Sequence, residues 1–209
     1  MDIHAPHQPV HSWRDFFTHI AIITIGLFLA LMLEAGVDWL HHRHLVRQAR
    51  ENIRLELEDN HKAAQKDLVL IDNNIQLQKD NIAAIHSLMA DGEKFHGSVS
   101  NRFSFDSPET SAWQSARDTG ALGYMPYDEV QRYSDIYSMG EFVQTHAIET
   151  AEHDFLAAAP FKMGYDAGKL PPDAYTQLLR DNAAVEIQLV TLKQVVKQFD
   201  DSCVVELKK

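Results

Sequence analysis

The sequence predicts an all-α protein in which an N-terminal transmembrane helix continues into a long stalk helix and an antiparallel helical bundle. Three observations carry this expectation. Phe16 to Leu33, FFTHIAIITIGLFLALML, is a run of 18 residues without Asp, Glu, Lys or Arg. From Leu45 onward apolar residues recur at three- and four-residue steps, and no Pro or Gly occurs between Val37 and Asp91. No alternating apolar–polar run is long enough to suggest a half-buried strand.

Taken in order, residues 1–15 form an N-terminal tail and residues 16–40 the transmembrane helix. At ~1.5 Å per residue the uncharged run covers roughly 27 Å, close to the ~30 Å hydrocarbon thickness of a bilayer. Trp13 and Trp39 bracket it at positions where interfacial aromatics sit, and His41, His42, Arg43 and His44 close it with polar groups. A cleaved signal peptide fits less well, because only Arg14 precedes the run and Leu33-Glu34-Ala35 is a poor cleavage site. Gly26, Ala30 and Glu34 lie four residues apart on one stripe, a small-residue pair followed by an ionisable group. This is the candidate helix-packing surface within the membrane.

Residues 41–90 form the stalk. Val46, Ile53, Leu57, Ala64, Leu68, Ile71, Ile75, Ile82, Ile85 and Met89 make a coiled-coil-like seam, interrupted by Arg50, Asn60 and Gln78. A straight helix from the bilayer to Met89 would measure roughly 110 Å at ~1.5 Å per residue, which leaves room for a bend near Asn60 or around Asp72-Asn73-Asn74.

Residues 91–209 form the bundle, completed by packing against the long helix. Asp91-Gly92 ends the stalk, and the stretch to Pro108 reads as an ordered loop packed by Phe95, Phe103 and Phe105. Ser107 is the expected N-cap and Pro108 the first residue of a short helix that ends at Gly120. A long helix follows from about Tyr127 to Ala159, closed by Pro160, with Val130, Tyr133, Tyr137, Val143, Ala147, Ala151 and Phe155 on its packing face. Pro171-Pro172-Asp173 opens the last helix, which packs through Leu178, Ala184, Ile187, Leu192, Val195, Val196 and Phe199.

The formal charge is −11, and residues 1–44 contribute little of it, with four acids against two arginines. An acidic extramembrane domain argues against nucleic-acid binding and against lying on an anionic leaflet, since both need clustered Lys and Arg. Cys203 is the sole cysteine, which excludes an intrachain disulfide and a cysteine zinc site.

The most distinctive local chemistry lies at Trp113, Arg117, Gly120, Tyr124, Tyr133 and Tyr137. Aromatics and one cation about a Gly-Pro turn could line a ligand pocket or partner groove. They could equally cap the bundle, with Gly120 as a left-handed C-cap. The 12 histidines invite a metal reading through His41/His44, Glu58/His61, Glu93/His96 and His146/Glu149/His153. A di-metal carboxylate bundle needs a Glu-x-x-His on each of two helices, and only Glu58–His61 falls on an expected helix. No hydrolase, metalloprotease, phosphate-loop or kinase motif is present, so neither catalytic residue nor cofactor is assigned.

Two stretches carry a resemblance: Trp13 to Asn52, with its run HHRHLVRQAREN, and SAWQSARDTGALGYMPYDEVQRYSDIY from Ser111 to Tyr137. In these the chain resembles uncharacterised bacterial single-span membrane proteins whose helical domains have no known function. The resemblance implies a bacterial inner-membrane location with the helical domain on the outer side. Arg43, Arg47 and Arg50 after the span, against Arg14 before it, point instead to the cytoplasm. The balance is placed on the periplasmic side.

The expected function is a membrane-anchored helical interaction or scaffold protein. Its expected partners are the lipid bilayer and either further copies of the chain or another membrane protein, without nucleic acid. An extracytoplasmic small-molecule sensor is the alternative, and a metal-binding bundle the third reading.

Overall fold

A computed structural model describes residues 13–91, 98–162 and 170–209. Its helices are α1 (Trp13–Ala90), α2 (Ser111–Asp118), α3 (Tyr127–Lys162) and α4 (Pro172–Leu207), with a 3₁₀ turn at Ala121–Tyr124 between α2 and α3. No strand occurs among the described residues. The chain divides into two units, Met1–Arg47 and Gln48–Lys209, and α1 contributes to both.

In the first unit, every residue from Trp13 to Leu40 is exposed, including Ile23 at 70% and Leu33 at 73%. This is the one helix among the described residues long and apolar enough to cross a membrane, and no part of its apolar window is buried. Its few polar side chains are turned back on the helix. Thr18 Oγ1 donates to Arg14 O at 2.9 Å and His19 Nδ1 lies 2.7 Å from Asp15 O, contacts that suit a medium without water. Trp13 stacks on Phe16, and Arg43 sits 5.2 Å over the Trp39 ring. Among the described residues nothing lies within 4 Å of where a Gly26 side chain would be, and Gly26, Ala30 and Glu34 are all exposed.

In the second unit, α1 is one continuous helix through Asn60 and residues 72–74. From Gln48 onward the residues read as a stalk are a helix of the bundle, paired with both α3 and α4. Ile53, Leu57, Ala64, Ile71, Ile85 and Leu88 are buried, with Leu88 taking the place expected of Met89. Pairs along the chain set the helix directions. His61 meets Asp200, Asp72 meets Lys193 and Asn81 meets Asn182, so α4 runs antiparallel to α1. Arg132 meets Glu206 and Gly140 abuts Phe199, so α4 is also antiparallel to α3. Arg50 meets Glu129 and Glu56 meets Tyr137, so α3 runs in the same direction as α1.

That shared direction requires a return path, and residues 98–110 supply it. They form an extended strap laid along α1. An extended segment carries unpaired backbone groups that must find partners when buried. Here α1 provides them from polar side chains at heptad spacing, Asn60, Asp67, Asn74 and Asn81. Asn81 Nδ2 donates to Ser100 O at 2.9 Å, and Ser100 N donates back to Asn81 Oδ1 at 3.1 Å. Asn60 makes the same two-way pair with Glu109, at 2.9 and 2.7 Å. Between them Asp67 Oδ1 accepts from Asp106 N at 3.3 Å. Asn74 is the exception and bonds to Leu70 O of its own helix. The Asn60 and Asn81 amides each mimic a peptide, donating and accepting at once. Asn60 and Asn81 are about 31 Å apart at ~1.5 Å per helical residue. Ser100 to Glu109 covers the same distance only if nearly fully extended, at ~3.3–3.6 Å per residue. Replacing Asn60 by Ala strands both backbone groups of Glu109, and we expect a loss of about 1–2 kcal/mol, read as a lowered denaturation midpoint of the full chain in detergent.

Two expected faces drift. On α3, Val143 and Ala147 are buried, but Ala151 is exposed and Phe155 is 71% exposed. Successive steps of four each overshoot a full turn by about 40°, so three in a row rotate the stripe off the core. The buried line goes on instead through Thr150 and Ala157. On α4, Val185 and Leu189 are buried and Ile187 is 66% exposed. Pro160 lies inside α3, which runs on to Lys162. The carbonyl that loses its donor belongs to Leu156, an exposed residue, so water can satisfy it. Phe95 and the Glu93/His96 pair lie outside the described residues.

Candidate functional site

The short helix α2 does not begin at Ser107. It begins at Ser111, with Thr110 as N-cap, and the Thr110 hydroxyl accepts from the Gln114 side chain, leaving the first backbone N–H groups uncapped by their own segment. Glu56 of α1 supplies the cap. One of its carboxylate oxygens accepts from Ser111 Oγ at 2.8 Å and from Ala112 N at 2.7 Å. The other accepts from Tyr137 Oη at 2.6 Å and, more weakly, from Trp113 N at 3.4 Å. Glu56 is only 6% exposed, so its charge is held by these donors and by the helix N-terminus.

The Trp113 and Tyr137 rings stack above this carboxylate, with centroids 5.2 Å apart and planes 13° from parallel. Burial first, and then the hydrogen bond to Glu56, pushes the Tyr137 phenol far above its ordinary range. One turn earlier, Tyr133 is pushed up to about 12, by burial and then by the Glu129 charge. Glu129 accepts from Arg50 at two points, 2.7 and 2.6 Å, and this fork joins the start of α3 to α1.

Trp113, Tyr133 and Tyr137 therefore come together, but as one wall of a packed polar network. Arg117, Gly120 and Tyr124 are exposed. Arg117 lies 3.5 Å from Asp118. Gly120 adopts a left-handed φ of 76° just past α2, with its N–H donating to Arg117 O, which is the helix-ending geometry that favours glycine. Rings stacked at van der Waals distance leave no space between them for a ligand. An open cleft of about 300 Å³ does border the network, lined by Asn52, Leu55, Glu56, Asp59, Glu109 and residues of α2. The Glu56 oxygens at its edge are already taken.

Glu56, Glu129 and Arg50 are the members that sequence reasoning missed. Arg50 was visible as a break in the apolar seam. Glu56 looks like one more acid on a charged helix until its partner, 55 residues away, is known.

The histidine sites separate. Glu58 pairs with Arg54, while His61 Nδ1 lies 2.5 Å from Asp200, whose other oxygen accepts from Gln65. His146 Nδ1 lies 3.1 Å from Glu149. Among the described residues no group of three or more His, Cys, Asp and Glu is arranged to hold a metal ion. Cys203 is fully buried, and desolvation pushes its thiol up to about 12, the opposite of an activated nucleophile.

Comparison with protein-family models, with curated proteins and with solved structures finds no match.

Proposed function

We propose that this protein is a membrane-tethered helical interaction module, a structural or accessory component of a bacterial inner membrane with its folded unit on the periplasmic side. It acts through helix packing with a further copy or with a membrane-protein partner. The observation that carries the proposal is the exposed apolar helix from Phe16 to Leu40, attached to a unit with its own core. A helix that is apolar along its length and covered by none of the described residues calls for lipid or another helix as its surroundings. The aromatic cluster favours the same reading over a sensor, because its polar tips are consumed by Glu56 and Glu129.

Isolation in mild detergent tests the module: a complex is expected, and a strict monomer with no co-purifying protein would sink it. Orientation is tested by thiol labelling, but Cys203 cannot report it. We expect Cys203 to resist a maleimide both on intact cells and after lysis, and to react only once the protein is denatured. The reporter is therefore Lys209→Cys in a Cys203→Ala background, at the exposed end of α4. Labelling on intact cells is the expected result; labelling only after lysis would move the folded unit to the cytoplasm.

A further inference from the structure

The drift of the α3 stripe leaves an apolar surface that the bundle does not use. Ile148 is 54%, Phe155 71% and Leu156 58% exposed, and with Ala151 and Glu152 they form one open face of α3. Ile148, Ala151 and Phe155 are spaced i, i+3, i+7, the spacing with which one helix presents a seam to another. Unlike Tyr137 or Phe199, these side chains do nothing for the core. An exposed cluster of this kind on a folded domain marks an interaction surface.

The charges that α3 itself carries select the occupant. Between Arg132 and Lys162 the sequence contains no Lys or Arg, whereas Glu141, Glu149 and Glu152 are all exposed. A second copy laying the same face on this one would set these carboxylates against each other. An anionic lipid surface would meet the same repulsion. We infer that the Ile148–Phe155 face of α3 docks an amphipathic helix of a partner protein whose apolar stripe is flanked by Lys or Arg. Recognition is of the helix-on-seam kind, with apolar anchors for affinity and basic flanks for selection. The inference rests on the interaction-module reading and names the chemistry of the partner.

The test uses the full chain in zwitterionic nanodiscs and a fluorescent 18-residue helical peptide with Leu at i, i+3, i+4 and i+7 and Lys elsewhere. A second peptide has Glu in place of Lys, and empty discs are the blank. The Lys peptide is expected to bind saturably, and roughly tenfold more weakly to Phe155→Ser or Ile148→Ser, exposed positions where the fold does not depend on the side chain. Glu149→Gln with Glu152→Gln should weaken binding and flatten its salt dependence. Equal binding of both peptides, or binding indifferent to Phe155→Ser, overturns the inference. Self-association of the chain that Phe155→Ser abolishes also overturns it and assigns the face to a second copy. Failure of the peptide alongside an intact co-purified complex rejects this face alone, whereas a strict monomer rejects the module itself.

Discussion

Replacing Glu56 by Ala should cost the folded unit about 3–4 kcal/mol, the largest loss expected from any single polar substitution considered. The carboxylate accepts from Ser111 Oγ, Ala112 N and Tyr137 Oη at 2.6–2.8 Å and caps a helix that has no side-chain cap of its own. Its removal strands the Tyr137 hydroxyl, which is 3% exposed, together with an amide of the first turn. Leaving the buried Tyr137 hydroxyl unpaired costs about 2–3 kcal/mol, and losing the cap on the first-turn amide about 1 kcal/mol more. The two effects are close enough to couple, so the figure is a total for the site.

Glu56→Gln separates charge from shape. It keeps an acceptor for part of the set and should cost about half as much. Tyr137→Phe keeps the ring stacked on Trp113 and removes one donor, for about 1 kcal/mol. Denaturation of the full chain in detergent, followed by near-ultraviolet circular dichroism, ranks the three. A Glu56→Ala protein as stable as the parent would mean that α2 is held by the stack alone.

These residues also mark the limit of what the sequence discloses. The apolar span was legible because a continuous run needs no partner to be recognised. The α1 seam was legible because Ile53, Leu57, Ala64, Ile71 and Ile85 keep to its three- and four-residue rhythm. Asn60 and Gln78 were visible as interruptions of that rhythm, but their meaning was not. Asn60, Asp67, Asn74 and Asn81 stand seven apart, and such a column on a buried face asks for an unpaired backbone to serve. Reading it that way would have predicted the strap and, with it, the shared direction of α1 and α3. The start of α2 was misplaced for a different reason. Ser107-Pro108 has the local form of a helix start, but the cap comes from another helix, and no local pattern encodes a partner 55 residues distant. The α3 face failed at Phe155 through phase error accumulated over successive four-residue steps, whereas Ile187 stands nine residues from the buried Leu178, about half a turn out of phase with it.

The same column contains one member that differs in charge. Asp67 is 1% exposed and accepts a single backbone hydrogen bond, from Asp106 N. Burial is the main cause that pushes its carboxyl up to about 6 from an ordinary 3.8, and the Asp106 charge adds to it. The hydrogen bond and the Lys66 charge work the other way without cancelling the burial. Lys66 is engaged with Asp106 at 2.6 Å. Because the folded-state value lies above the unfolded one, protonation of Asp67 stabilises the fold. That contribution is whole below about pH 4, falls as pH rises between about 4 and 6, and is gone above about 6. A rise of this size corresponds to about 3 kcal/mol. Asp67→Asn should therefore raise stability at pH 7 by up to about 3 kcal/mol and remove the decline across that window, since the amide oxygen can still accept from Asp106 N. Asparagine is already the residue at the other three positions of the column, and at Asn60 and Asn81 its amide bridges helix and strap. The measurement is the denaturation midpoint of parent and variant from pH 4 to pH 8. Two curves that stay parallel would mean that Asp67 is ionised in the folded protein at no cost, with its charge held by groups beyond Lys66 and the Asp106 amide.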